Sequence, residues 1–99
     1  MVDLVLKNAR VVTPLGVQEA GVAIEGERIM AIGADRDLPA AAEVIDCHGM
    51  LLFPGVFDPH VHLGGRTPYD ENIVSETRSA AAGGVTSFLQ YLRSGDPEY

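Results

Sequence analysis

The sequence is poor in cysteine, tryptophan and basic residues, and each shortage excludes a class of protein. One cysteine, Cys47, and no tryptophan occur among the 99 residues. A single cysteine cannot close a disulfide within the chain, so we expect a reducing, cytoplasmic environment. Seven basic residues face fourteen acidic ones, for a net charge of -7. Because nucleic-acid binding needs clustered Lys and Arg to neutralise phosphates, we expect no nucleic-acid partner.

Long apolar runs are missing as well. No stretch approaches the roughly 18 consecutive apolar residues of a membrane span. The first residues, with acidic Asp3, do not have the pattern of a secretory signal peptide. Yet 46% of the residues are hydrophobic and 21% are charged, which is the balance of a globular protein. The expectation is a soluble, cytoplasmic protein with no membrane partner.

The first half of the chain predicts short strands. Apolar and polar residues alternate at the start, and a β-branched run at residues 10–13 ends at Pro14. Two further runs flank Gly26-Glu27 and predict a β-hairpin. Residues 35–42 form a polar connection with at most one helical turn, and residues 43–46 predict another strand. The pattern indicates a small antiparallel β module with no catalytic group.

The second half predicts a strand, a helix and a second strand. Residues 56–63 are apolar at both parities around a few polar residues, which is typical of a strand buried on both faces. A Gly-rich loop leads to a helix from about Asp70 to Ala82, which Gly83-Gly84 ends. Residues 85–91 predict the second strand. This order predicts a βαβ unit, whose two strands are parallel.

The motif that carries chemistry is Asp58-Pro59-His60-Val61-His62, at the end of the first of these strands. Side chains at i and i+2 share a face, roughly 6.6 Å apart along the strand. Two imidazoles at that spacing can converge on one ion at about 2.0–2.1 Å. Asp58 could orient a histidine or touch the metal. An isolated pair of this spacing is a weak signal, but the carboxyl end of a parallel strand is where α/β active sites lie.

Other reactive residues have simpler interpretations. His48, beside a glycine, is interpreted as a polar turn residue, and Cys47 as a small buried hydrophobe. Glu76 and Arg78 are interpreted as a solvated helix face. Gly83-Gly84 is not a phosphate-binding loop, because such loops precede a helix and these glycines follow one.

Taken together, the sequence resembles the cyclic amidohydrolases, which include hydantoinase, dihydropyrimidinase, allantoinase and dihydroorotase. The similarity is carried in order by residues 3–12, 26–33, 44–49, 54–63 and 77–87. The resemblance implies an α/β fold built as a metal-dependent hydrolase (β/α)8 TIM barrel with an appended β-sandwich domain. Residues 1–52 would be N-terminal strands of the sandwich. Residues 53–99 would be the first βα unit and second strand of an incomplete barrel, since a full barrel needs about 200 residues or more.

The resemblance also implies the site. His60 and His62 would bind one of two divalent metals, zinc in the simplest case, with Asp58 as a supporting catalytic residue. The carbamylated lysine that bridges the metals, two more histidines and the aspartate general base would lie outside this fragment. The full-length protein would hydrolyse the C–N bond of a hydantoin or dihydropyrimidine-type ring with a metal-activated hydroxide. It would be a homo-oligomer, and the 99 residues alone would be inactive.

One departure from the family bears on the substrate. Dihydroorotases carry an arginine two residues after the second histidine, where this sequence has Gly64, and the nearest arginine is Arg66. Arg66 is therefore the candidate substrate-binding residue, and a hydantoinase or dihydropyrimidinase is favoured, with allantoinase or dihydroorotase as alternatives. Arg93 and Ser94 follow the second strand, where a substrate could be met. An alternative of another class is a non-catalytic dihydropyrimidinase-related binding or assembly protein, against which the two retained histidines argue.

Overall fold

The computed structural model describes residues 1–91, so Arg93 and Ser94 lie outside the described residues. The chain divides into two compact units, Met1–Pro54 and Gly55–Tyr99. The first unit contains β1 (Val2–Thr13), β2 (Gly16–Glu25), β3 (Arg28–Gly33), a 3₁₀ turn (Asp35–Asp37), β4 (Ala41–Asp46) and β5 (Leu51–Leu52). The second contains β6 (Val56–Val61), α1 (Tyr69–Ala82) and β7 (Val85–Gln90). Within residues 1–91, no helix is both long enough and apolar enough to cross a membrane.

The first unit is one five-stranded sheet in which β1 is central. The strand order is β3-β2-β1-β4, and β5 also pairs with β1. β1, β2 and β3 pair antiparallel in sequence, with Glu25 opposite Arg28 across the turn at Gly26-Glu27. The predicted hairpin is therefore confirmed, because alternating apolar runs around a short Gly-containing turn specify it locally.

The antiparallel prediction was wrong for the last two strands of this unit. β4 and β5 both run parallel to β1, with Leu6 opposite Ile45 and Val11 opposite Leu52. The connection through residues 34–40, with its 3₁₀ turn, carries the chain back to the start of β1 before β4 begins. Strand direction depends on such non-local paths, which an alternating pattern does not encode.

The buried side chains of the first unit are small and form two clusters on this sheet. One consists of Ala9, Val11, Ala20, Val22 and Cys47, and the other of Val2, Val5 and Ala23. Cys47 is 8% exposed, which confirms its interpretation as a buried hydrophobe. Complete burial of a valine contributes only about 1.5–3 kcal/mol, so these clusters give the unit a modest core.

The second unit is the predicted βαβ arrangement. β6 and β7 are parallel neighbours, with Val56 opposite Val85, and α1 connects them. The helix begins one residue before the predicted start and ends at the predicted residue, Ala82. Asp70 and Glu71 lie in its first turn, where negative charge complements the helix dipole. The predicted inner helix face is half-buried at Ile73, Thr77 and Ala80 but exposed at Ala81.

One burial prediction was wrong within the described residues. β6 is not buried on both faces, since Val56 is 51% exposed and Phe57 is 56% exposed. A parallel sheet is buried only where other elements cover both faces. Among the described residues of this unit, one helix and one neighbouring strand do not supply that cover.

Candidate metal centre

The two candidate ligands lie at the carboxyl end of β6. The strand ends at Val61, so His60 is its next-to-last residue and His62 follows it directly. The pairing with β7 is irregular between Asp58 and Val61, where Pro59 has no N–H to donate. Leu63, only 2% exposed, anchors the chain immediately after His62. Burial of Leu63 thus fixes the chain directly after the second histidine.

This local geometry turns the two imidazoles towards each other. His60 Nε2 and His62 Nε2 are 2.9 Å apart, and the ring planes meet at 61°. His62 Nδ1 lies 3.1 Å from the carbonyl oxygen of Tyr91. A carbonyl only accepts, so Nδ1 of His62 carries the hydrogen. In the neutral ring Nε2 of His62 is then bare and accepts from the Nε2–H of His60.

The histidine pair fits a metal ion. Two nitrogens bound to one tetrahedral zinc at 2.0–2.1 Å lie about 3.3 Å apart. The observed separation of 2.9 Å reaches that value after a small rotation of either ring, and His60 would then carry its hydrogen on Nδ1 so that its Nε2 could bind. Donation of Nδ1–H to a backbone carbonyl is also the usual state of a metal-binding histidine, because it leaves the other nitrogen free. No group of three or more His, Cys, Asp or Glu side chains able to hold a metal occurs among residues 1–91, so the described residues offer two candidate ligands.

Asp58 acts on the backbone of the motif. Its Oδ1 accepts a hydrogen bond of 3.0 Å from the backbone N–H of His60. This bond occupies the donor that the irregular pairing leaves free, and it fixes the turn from which the His60 ring projects. The structure therefore brings His60 and His62 together and places the Asp58 carboxylate against the backbone N–H of His60.

Arg66 lies beside His62 in an open depression of about 640 Å³. The depression is lined by His62, Gly64, Gly65, Arg66, Thr67, Asn72 and Glu76. Asn72, in the first turns of α1, accepts a hydrogen bond of 2.7 Å from Gly64 N–H through Oδ1. This bond ties the loop after the histidines to the helix. A guanidinium is thus within the same depression as a candidate ligand.

Sequence reasoning missed Tyr91. Its ring stacks on His60 with centroids 4.3 Å apart and planes at 18°, while its carbonyl meets His62. The signal was present, since parallel strands of equal length place the residue after β7 beside the end of β6. Tyr91 N–H indeed donates to Val61 O at 2.9 Å.

His48 belongs to the first unit and is a turn residue, as interpreted from the sequence. Its φ is 50°, and its backbone N–H donates to Asp46 Oδ1 at 2.8 Å. This bond and one from the Asn8 side chain hold the pKa of Asp46 below its ordinary value of 3.8, because both donors favour the carboxylate.

The fold and the site define a broad class, mostly-strand α/β proteins with a candidate metal centre at the carboxyl end of a parallel strand. Comparison with known proteins supports this class. The chain is 42% identical to an allantoinase of Streptomyces avermitilis over 91 residues, covering 89% of this chain and 20% of that protein. It is 42% identical to a dihydroorotase of Geobacter sulfurreducens over 90 residues, covering 86% of this chain and 21% of that protein. No protein-family profile matches.

Solved structures agree with the sequence comparison. D-hydantoinase from Bacillus sp. AR9 superposes with a TM-score of 0.77 and 38% identity, over 96% of this chain and 22% of that one. L-hydantoinase from Arthrobacter aurescens superposes with a TM-score of 0.73 and 34% identity, over 91% of this chain and 20% of that one. The chain spans about a fifth of the length of the curated relatives it matches. It belongs to the cyclic amidohydrolase family and corresponds to the N-terminal portion of its members.

Proposed function

We propose that the full-length protein containing this chain hydrolyses the C–N bond of a cyclic amide, with His60 and His62 as ligands of a divalent metal. The observation that carries the proposal is the approach of the two Nε2 atoms to 2.9 Å at a strand end. Relatives named allantoinase, dihydroorotase and hydantoinase support the reaction class. The proposed architecture is a (β/α)8 barrel that residues 53–99 begin, with residues 1–52 contributing strands to a β-sandwich.

The residues of this chain have separate tasks at the proposed centre. His60 and His62 would hold one of two zinc ions, a carbamylated lysine from outside these residues would be a further ligand, and the ions would supply Lewis-acid activation of water and of the amide carbonyl. The Tyr91 carbonyl keeps the His62 proton on Nδ1, which leaves the Nε2 lone pair free to bind. Asp58 holds the backbone of His60, so that its ring stays at the strand end.

The loop after the histidines supports a neutral ring as substrate. Gly64 has no side chain to grip a carboxylate, and its N–H is bonded to Asn72. Arg66, in the same depression as His62, is the proposed substrate contact. A hydantoin or a dihydropyrimidine suits this surface better than dihydroorotate, whose carboxylate needs a bidentate partner. Allantoin, another uncharged ring, is the alternative substrate, because several relatives are named allantoinase.

We also propose a cellular setting for the protein. The net charge of -7 and a single cysteine favour a cytoplasmic protein that binds neither nucleic acid nor membranes. A homo-oligomer is proposed by analogy with the family.

The test uses the full-length gene product. We expect metal analysis to find bound divalent metal, and assays with hydantoin, dihydrouracil, allantoin and dihydroorotate to find turnover of an uncharged ring. His60→Ala and His62→Ala should each lose metal and lower kcat/KM by more than the roughly 10–100-fold that loss of a supporting residue costs.

The matched control is His48→Asn. It removes the third histidine of the chain, and asparagine tolerates the φ of 50° at that position. Metal content and turnover should stay as in the wild type. A metal-free wild type whose activity survives His60→Ala would reject the proposal. A metal-free, inactive wild type would favour the non-catalytic binding or assembly protein.

A further inference from the structure

We propose that Tyr91 is a positioning residue of the metal centre: its ring holds the plane of His60, and its carbonyl holds the tautomer of His62. The inference rests on the proposed metal site. It assigns a role to a residue outside the Asp-Pro-His-Val-His motif, directly after the neighbouring strand β7.

The backbone of Tyr91 is fixed against the end of β6. Its N–H donates to Val61 O at 2.9 Å, and Val61 is the residue between the two histidines. Its carbonyl, on the same residue, then meets His62 Nδ1 at 3.1 Å. The residue that follows β7 is thus hydrogen-bonded to the backbone between the two histidines and to the ring of His62.

The Tyr91 ring acts on the other histidine. It lies nearly parallel to the His60 imidazole, at 18° and 4.3 Å between centroids, whereas it is 6.1 Å from His62 at 49°. Parallel stacking limits rotation of His60 about its last side-chain torsion, because a turned ring would lose the contact. The ring therefore keeps His60 Nε2 directed at His62 Nε2.

The two contacts can be separated experimentally. A side-chain substitution at Tyr91 removes the stacking but keeps the carbonyl. Tyr91→Leu should disturb His60 and leave the His62 tautomer unchanged, whereas Tyr91→Phe keeps an aromatic ring and should preserve both. Leu89→Ala provides a control on β7, the strand that Tyr91 follows, since Leu89 takes part in neither contact.

The experiment measures zinc affinity of the full-length protein after chelation and controlled reloading, with the cobalt absorption spectrum as a second readout. We expect Tyr91→Leu to bind zinc about 10–100-fold more weakly and to change the cobalt spectrum. Tyr91→Phe and Leu89→Ala should match the wild type in both. If weaker zinc binding came only from a less stable fold, Leu89→Ala would bind zinc more weakly as well. The cobalt spectrum of the metal-bound Tyr91→Leu protein would then stay as in the wild type.

Wild-type zinc affinity with an unchanged cobalt spectrum in Tyr91→Leu would overturn the inference and leave the proposed function intact. A wild type that binds no zinc would overturn both. If Tyr91→Leu does not fold, a measurement on the wild type alone still tests the role of the Tyr91 carbonyl. In the metal-free protein labelled with ¹⁵N-histidine, we expect His62 to carry its proton on Nδ1, and a proton on Nε2 would contradict the assigned role of the carbonyl.

Discussion

At the scale of single residues, Asp46 organises two backbone positions that most side chains avoid. Its Oδ1 accepts from the backbone N–H of His48 at 2.8 Å and from Asn8 Nδ2 at 2.9 Å. Asn8 and His48 have φ values of 54° and 50°. Left-handed residues other than glycine persist where surrounding contacts hold them. The carboxylate of Asp46 supplies a backbone contact at His48 and a side-chain contact at Asn8, whose backbone N–H donates to Asp35 Oδ2 at 2.9 Å.

This network predicts a pH dependence of stability. Because the pKa of Asp46 is lowered in the folded chain, its carboxylate contributes stability at pH above the ordinary value of 3.8, and that contribution is lost as the pH falls through the lowered pKa. We expect Asn8→Gly, which tolerates the backbone conformation but removes the Nδ2 donor, to raise the pKa of Asp46 towards its ordinary value. NMR titration of the Asp46 carboxyl measures this directly. An unmoved pKa would show that Asn8 does not stabilise the carboxylate.

At the same scale, the sequence predicted part of the candidate site. The i, i+2 spacing of His60 and His62 predicted that both rings share a side, and the structure confirms their approach. The i, i+2 spacing does not indicate the Tyr91 contacts, because they join residues 29 or more positions apart. The signal for them lies in the pairing of β6 with β7, two strands of equal length. The bond from His60 N–H to Asp58 depends on the irregular pairing around Pro59, which alternation does not reveal.

At the scale of elements, the end of α1 is fixed by two glycines with different conformations. Gly83 has φ -87° and continues the helical bonding, with its N–H directed at Ser79 O and Ala80 O. Gly84 has φ +91°, and its N–H donates to Ala81 O. A left-handed residue after the helix reverses the chain into β7, and glycine adopts it without steric cost.

The two glycines form a matched pair for mutation. A Cβ at Gly84 would meet no atom within 4 Å, so its cost is conformational alone, whereas a Cβ at Gly83 would make ordinary contacts at 3.5 Å or more. We expect Gly84→Ala to be less stable than Gly83→Ala by about 1–2 kcal/mol, the cost of a left-handed alanine. Urea unfolding of both variants measures the difference. Equal stabilities would show that the left-handed turn is not required.

Element types were more predictable than their pairing. The positions of the hairpin, α1 and the βαβ order follow from local periodicity and turn residues, and each is confirmed. The direction of β4 and β5 was wrong because both choices satisfy the same local pattern. Burial of β6 was wrong because burial depends on which elements lie above a strand, and the sequence of the strand does not specify them.

At the scale of the whole molecule, large apolar side chains remain uncovered. In the second unit, Val56, Phe57, Val74 and Leu89 are each at least half exposed. Scattered apolar exposure is normal, but both strands of one small sheet carry such residues here. The described elements of this unit therefore expose apolar surfaces that other parts of a protein would normally cover.

This exposure predicts the behaviour of the 99 residues prepared alone. We expect self-association, measured by analytical ultracentrifugation, and no hydrolysis of hydantoin, dihydrouracil or allantoin above a metal-free control, even with added zinc. The physical reason is that a catalytic zinc needs about three protein ligands, and the described residues supply a pair of histidines. A monomer with zinc-dependent turnover would contradict this expectation.

The central claim is that His60 and His62 bind one metal ion together. The most direct measurement is the crystal structure of the full-length protein, with diffraction data collected on both sides of the zinc absorption edge. We expect an anomalous peak about 2.0–2.1 Å from Nε2 of both histidines, with His62 Nδ1 still bonded to the Tyr91 carbonyl. With zinc supplied, no peak at the pair, and Nε2 atoms still hydrogen-bonded to each other at 2.9 Å, would contradict it.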